Sequence, residues 1–136
     1  MSLAGSVALV TGGGRGVGRA IALGLAKDGA TVAVNFRRDS DSAQETVNLI
    51  ESSGGTARAY CASVDNLQED ELMVQQIEED FGPIAILVNN AGIASRGKLV
   101  ADTEADELQR VVATHAFGPH YLSRLVLPGM RSLERG

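Results

Sequence analysis

The run Ile84-Ala85-Ile86-Leu87-Val88 is apolar at every position, and it constrains the chain more than any other feature. Side chains along a strand alternate between two faces, so a run without a polar residue needs apolar cover on both. A parallel sheet flanked by helices supplies that cover. Three other segments suit the same layer: the apolar Val7–Val10, the β-branched Thr31–Phe36 (TVAVNF), and a weaker third strand over 56–64.

Between these strands the apolar period becomes helical. Val17, Ile21 and Leu25 form one stripe, closed by Gly29. Ala43, Val47 and Ile50 form a second, with Ser42 and Glu45 at capping-box spacing before it and SSGG at 52–55 after it. Asp65 or Asn66 caps a third, built on Met73, Ile77 and Phe81 and stopped by Gly82-Pro83. Thr103 is placed to cap a last long helix, 103–130, whose inner face takes Leu108, Val111, Val112, Leu122, Leu125 and Val126. Gly118-Pro119 should kink or break it. The order βαβαβαβα calls for right-handed crossovers and an α/β, doubly wound parallel sheet.

By length, 136 residues make one domain. Twelve basic against seventeen acidic residues leave a net charge of −5, which argues against nucleic acid or an anionic membrane as partner. Cys61 is the single cysteine, so no intrachain disulfide or multi-cysteine metal site forms, and a reducing, cytoplasmic setting is expected. No apolar run approaches a membrane span, and the N-terminus lacks the pattern of a secretory signal.

The first strand runs into Thr11-Gly12-Gly13-Gly14-Arg15-Gly16-Val17-Gly18. Glycines let the backbone turn tightly and admit a pyrophosphate where a Cβ would stand in the way. Amides at the start of the next helix then point at the anion. A phosphate loop of the Walker type fails here, because Arg19-Ala20 stand where Lys and Ser or Thr are needed. G-x-G-x-x-G is absent as well. What is present is T-G-x-x-x-G-x-G, and a glycine-rich turn without ligand is its plain alternative.

At the end of the second strand, where a dinucleotide fold selects its ribose, the chain reads Asn35-Phe36-Arg37-Arg38. An acidic residue there would accept from a 2′-hydroxyl. Two arginines instead attract a 2′-phosphate, with Arg15 as a further donor, so NADP(H) is favoured over NAD(H). Alone, such a pair is as readily a solvated face.

These residues, together with Asn89-Asn90-Ala91-Gly92 directly after the fourth strand and Leu127-Pro128-Gly129-Met130 at the end of the long helix, resemble the short-chain dehydrogenase/reductase family. The style is that of the 3-oxoacyl-(acyl carrier protein) reductases, and the likeness covers essentially the whole chain. The resemblance implies a Rossmann-type sheet and an oxidoreductase that moves hydride between nicotinamide and a small carbonyl or secondary alcohol. Gly12, Arg15, Gly16, Val17 and Gly18 would lie on the pyrophosphate and adenosine ribose, and Arg37 and Arg38 on the 2′-phosphate. Asn90, Ala91 and Gly92 would lie along the ribose and nicotinamide. Relatives often form dimers or tetramers, which implies a homo-oligomer through helix 103–130.

The chain departs from that pattern at two positions. Ser63-Val64 stand where the family has an acidic residue and an apolar one to hold the adenine; a serine hydroxyl still accepts a hydrogen bond, without a carboxylate's charge. His115 stands at the position of the family's active-site asparagine. Histidine can join a proton relay, which makes His115 the catalytic candidate. The plainer reading is a ring nitrogen bonded to backbone or water. His115 and His120 point apart around a helix and make a poor metal pair, so no metal site is expected.

Carbonyl reduction also needs a proton donor, which the family supplies as a serine and Y-x-x-x-K. Four residues beyond Tyr60 and Tyr121 stand Val64 and Leu125, so that motif is absent from these residues. In the family's order it comes after a fifth strand. The expectation is therefore a cofactor-binding half, 1–136, cut after the fourth strand and its long helix, with the catalytic half absent and no activity alone. Its fourth strand would be an open apolar edge. A non-catalytic NADP(H)-binding module and an inactive fragment are the alternatives.

Overall fold

The computed structural model describes residues 2–136. Four strands, β1 (Val7–Val10), β2 (Thr31–Phe36), β3 (Ala57–Cys61) and β4 (Ile84–Val88), form one parallel sheet in the order β3-β2-β1-β4. This is the expected doubly wound, Rossmann-type fold. The third strand is shorter than the expected 56–64, because the chain leaves the sheet after Cys61 toward the next helix.

Alternation sorts the strand residues onto two faces. Ala8 and Val10 of β1 join Val32 and Val34 of β2 beneath α1 (Gly16–Lys27) and α2 (Ser40–Ser52), which contribute Ala22, Ala43, Val47 and Ile50. Val7, Leu9 and Ala33 face the other way, toward Met73, Val74 and Ile77 of α3 (Leu67–Phe81) and Leu122 and Val126 of α5 (Gly118–Leu133). Both faces of β4 are flanked as its composition demands, but β4 pairs only with β1 and its last three residues are half-buried.

Two local expectations change, at α2 and α1, and the alternative at α3 is resolved. Asp39, not Ser42, caps α2: its Oδ1 accepts from the Ser42 amide at 3.0 Å, while Glu45 turns away to pair with Arg19. An acid three residues before the expected cap does the same job, since any side-chain oxygen within reach of a free first-turn amide suffices. Asn66 takes the cap of α3 through the Glu69 amide. In α1 the inward stripe is Gly18 and Ala22, with Ile21 and Leu25 flanking; Val17 is 68% exposed at the helix mouth.

The last helix is two helices joined without a break. Thr103 bonds back to the Leu99 carbonyl and closes a 3₁₀ turn, Val100–Asp102, so α4 (Ala105–Val112) starts after Glu104 instead. A π turn, Ala113–Phe117, leads into α5. Pro119 has no N–H to give the carbonyl four residues back, and the wider turn ending beside it absorbs the gap where a kink was expected. Leu122 and Val126 are buried and Leu125 packs against them. Leu108 and Val112 instead face outward, because α5 and not α4 lies on α3 and β4.

Candidate functional site

With β1 central, its neighbours β2 and β4 lead away in opposite directions, and open sheets of this kind place their crevice at that reversal, beyond the carboxyl ends of the strands. A cleft of about 450 Å³ lies there. It gathers Gly12, Arg15, Arg37, Arg38, Ser63, Val64, Asn90, Ala91 and Gly92 from the expected set. Gly16, Val17, Gly18 and His115 do not wall it; they stand behind or beside it.

The glycine loop is held through its carbonyls. Arg19 donates to the Gly14 carbonyl from Nε at 3.1 Å and from Nη2 at 2.7 Å, and Thr46 donates from α2 to the Gly13 carbonyl at 3.0 Å. The Asn90 amide group reaches the carbonyls of Thr11 and Gly12 at 3.0 and 3.1 Å. At the start of α1 the situation reverses. Arg15, at the N-cap, offers no side-chain bond, and the helix's own ladder begins only with the Arg19 amide on the Arg15 carbonyl. The amides of Gly16, Val17 and Gly18 precede that first bond and are the uncapped, positive end of the helix.

Two glycines are required by contact. Gly12 has φ +61°, and a Cβ there would sit 3.1 Å from Ala91 Cα. A Cβ on Gly18 would come within 2.1 Å of the Gly12 carbonyl oxygen, which no relaxation of a side chain relieves.

Sequence reasoning missed the brace beneath this loop. Asn35 is buried; its Oδ1 accepts from the Gly12 amide at 3.2 Å, its backbone carbonyl accepts from Gly13 at 3.0 Å, and its Nδ2 donates to the Ala62 carbonyl at 3.1 Å. One side chain thus ties the loop to β2 and to the segment after β3. A lone amide at the buried end of an otherwise apolar strand was the available signal. Thr46, in the middle of the buried stripe of α2, gave a similar one.

At one end of the cleft Arg15, Arg37 and Arg38 are exposed beside Asp39. That carboxylate is already committed: Oδ1 takes the Ser42 amide and Oδ2 the Ser42 hydroxyl at 2.7 Å, with Arg15 and Arg19 adding positive charge. The Ser42 hydroxyl bond, first among these, holds Asp39 below the ordinary carboxylate range. The acid nearest the arginines therefore serves the helix.

At the other end the chain after β4 is pinned in turn. Thr11 Oγ1 accepts from the amides of Asn90 and Ala91, both at 2.9 Å. His115 Nε2 meets the Ile93 backbone, 2.8 Å from its carbonyl oxygen and 3.0 Å from its amide nitrogen, so either neutral tautomer has a partner. Glu107 of α4 is buried, with Oε1 accepting from the Arg96 amide at 2.6 Å and the Ser95 hydroxyl at 3.0 Å. The Arg96 bond, with help from Ser95, lowers its carboxyl below the usual Glu value. No sequence signal pointed to Glu107.

Neither tyrosine faces this cleft. Tyr60 gives its hydroxyl to Asp80 at 2.7 Å, and burial pushes its phenol well above the ordinary value. Tyr121 stacks obliquely near Phe117 on α5.

The sequence profile described as short chain dehydrogenase matches residues 6–136. An uncharacterized oxidoreductase of Escherichia coli (strain K12) is 42% identical over 113 residues, covering 83% of this chain and 46% of that protein. A short-chain dehydrogenase/reductase homolog of Bacillus subtilis (strain 168) is 46% identical over 93 residues, 68% of this chain and 85% of its own length. Among solved structures, a metagenomic short-chain oxidoreductase in complex with NADP superposes with a TM-score of 0.95 at 30% identity, over 100% of this chain and 61% of that one. The chain spans about half the length of most curated relatives it matches.

Proposed function

The chain belongs to the short-chain dehydrogenase family, and from that premise we propose that residues 1–136 are an NADP(H)-binding domain of an oxidoreductase acting on a small carbonyl or secondary alcohol. The observation that carries the reading is the glycine loop, whose carbonyls are tied inward while the first amides of α1 have no partner in the helix. A cradle of that polarity suits a pyrophosphate. Gly12 and Gly18 let the loop close on itself, since a Cβ at either would meet Ala91 or the Gly12 carbonyl.

Gly12, Arg15, Gly16, Val17 and Gly18 would hold the pyrophosphate, and Arg37 and Arg38 a 2′-phosphate. Preference for NADP(H) over NAD(H) rests on those two guanidiniums and on the engagement of Asp39 with Ser42, which leaves no free carboxylate at the ribose. Ser63 and Val64 would border the base. Asn90, Ala91 and Gly92 would lie toward the nicotinamide, which supplies the hydride when bound.

His115 acts here by position: its ring holds the Ile93 backbone and with it the floor of the reacting end. Proton delivery falls to residues outside 1–136, since Tyr60 is committed to Asp80 and no Y-x-x-x-K occurs. Exposed Leu108, Val112, Phe117 and Leu127 on α4, the π turn and α5 favour a homo-oligomer through this region. No helix among the described residues is long and apolar enough to cross a membrane. That and the lone Cys61 favour the cytoplasm.

Titration of the 136-residue protein with NADPH, read by the enhancement of reduced-nicotinamide fluorescence, tests the reading. Saturable NADPH binding with no NADPH oxidation by a panel of ketones is the expected result. Absence of binding would overturn the cofactor assignment. Carbonyl-dependent oxidation would overturn the assignment of proton delivery to other residues.

A further inference from the structure

The glycine loop and the first turn of α2 touch through their backbones. A Cβ on Gly14 would stand 3.1 Å from the Ala43 amide nitrogen and 3.4 Å from the Ser42 carbonyl carbon, so this glycine lets the two segments meet. Arg19 of α1 closes the contact. Its Nη2 donates to the Gly14 carbonyl at 2.7 Å, to the Ser42 carbonyl at 3.1 Å and to Glu45 Oε2 at 3.1 Å. Its Nε reaches the Gly14 carbonyl at 3.1 Å and Thr46 Oγ1 at 3.0 Å. The side chain is 24% exposed and does not line the cleft.

The two segments that Arg19 joins lead to different parts of the cleft. The loop runs into the uncapped amides of Gly16, Val17 and Gly18. The first turn of α2 starts at its cap, Asp39, directly after Arg37 and Arg38. Ser42 holds Asp39 through its amide and hydroxyl, and the Ser40 amide donates to the Arg38 carbonyl at 3.1 Å. No slack chain separates the arginines from the helix, so the start of α2 sets where they stand. A planar guanidinium with donors in fixed directions holds two carbonyls at one separation, which the point charge of a lysine does not. A ligand that bridges two sites gains from the second only when their spacing matches its own.

We propose that Arg19 is a positioning residue that fixes the spacing between the first amides of α1 and the guanidiniums of Arg37 and Arg38. It thereby sets how much a 2′-phosphate adds to dinucleotide binding. The proposal rests on the reading of this cleft as an NADP(H) site. It adds a determinant of cofactor preference that lies outside the cleft.

The test titrates the 136-residue protein with NADPH, NADH and adenosine 2′-monophosphate, which carries the 2′-phosphate and no pyrophosphate. The native protein should bind NADPH tighter than NADH. In Arg19→Lys, which keeps the charge, the ratio of NADPH to NADH affinity should fall about tenfold, the scale of one charge-assisted hydrogen bond. Adenosine 2′-monophosphate reaches only the arginines and should bind within about twofold of its native affinity. Gly14→Ala presses a methyl on the Ala43 amide and widens the same spacing without altering a charge. It should lower the ratio as well, and it takes the place of Arg19→Lys if that variant does not fold. An unchanged ratio in the folded variant would show that Arg19 only props the loop, and would overturn the proposal. A loss of adenosine 2′-monophosphate in step with NADPH would overturn it too, because Arg19 would then act on the arginine end alone. If the native protein binds both dinucleotides equally, the 2′-phosphate reading fails and this inference with it, while the cofactor cradle stands. If it binds neither, the cradle fails as well.

Discussion

The two faces of the sheet are built on different terms. The face under α1 and α2 is apolar apart from Thr46, from Ala8 and Val10 to Val47 and Ile50, and its helices reach the glycine loop with Arg19 and Thr46. The face under α3 and α5 buries the carboxyl of Asp70 with neither oxygen bonded among the described residues, passes through a π turn, and leaves Leu108 and Phe117 exposed at 61% and 53%. The contrast separates a surface whose side chains tie down the glycine loop from one that carries an unbonded carboxyl and a π turn. An amide cannot swing to meet a ligand as a side chain can, so the proposed pyrophosphate cradle needs its loop held in place beforehand.

The largest expected effect is on the first face. Gly18→Ala places a methyl inside the Gly12 carbonyl and should cost about 3 kcal/mol of stability, read as a lower denaturant midpoint. NADPH binding should be lost with it. A variant of native stability that still binds NADPH would mean that this face is not rigid. Asn35 reaches the loop from the opposite face of β2, beside Met73; Asn35→Ala strips the brace from Gly12, leaves that amide and the Ala62 carbonyl unsatisfied, and should cost about 2 kcal/mol by the same measurement.

At Asp70 of α3, on that second face, the expected sign reverses. Burial first, then the charges of Asp65 and Glu69, push Asp70 from 3.8 up to about 8. A carboxyl whose folded value is raised favours the fold while protonated: its full contribution is present below 3.8 and is lost as pH rises toward about 8. Asp70→Leu should therefore stabilise the protein at pH 7 by about 2 kcal/mol and flatten the fall in melting temperature across that window. If the variant melts lower at pH 7 than the native protein, Asp70 has a partner that this account lacks.

The smallest effect concerns the loop after β4. Glu107→Gln should leave global stability within about 1 kcal/mol while speeding hydrogen exchange at Arg96, whose amide it holds. The lowered carboxyl gives the pH sign: the pin is present above 4.5, the ordinary Glu value, and is lost as pH falls below it. Unchanged exchange at Arg96 on crossing that range would show that Glu107 does not hold the loop.

The same contrast explains how much was legible in the sequence. Strands declared themselves through runs such as Ile84–Val88, and α1 and α2 through apolar periods that end in glycine, although in α1 the buried residues are Gly18 and Ala22 and not the expected stripe. The glycine loop, the arginine pair and Asn90 were equally readable, since each stands at a strand end in a fixed order. The cap at Asp39 and the start of α4 after Glu104 were not, because several polar residues within one turn could open either helix. Leu108 and Val112 have inward spacing but no neighbour to pack against, which periodicity alone does not reveal. Asn35 and Glu107 act on groups brought near by the fold, the amides of Gly12 and Gly13 for the first and the Ser95 hydroxyl and Arg96 amide for the second, and such pairings leave no trace in local spacing.

The most direct test of the central claim is the ratio of NADPH to NADH affinity, measured by calorimetric titration before and after Arg37→Ala with Arg38→Ala. Two guanidiniums on a 2′-phosphate predict native preference for NADPH and a drop of about a hundredfold in that ratio in the variant, with NADH binding nearly unchanged. A ratio that stays where it was would contradict the account, because nothing else at that end of the cleft but Arg15 carries the charge to tell the two dinucleotides apart.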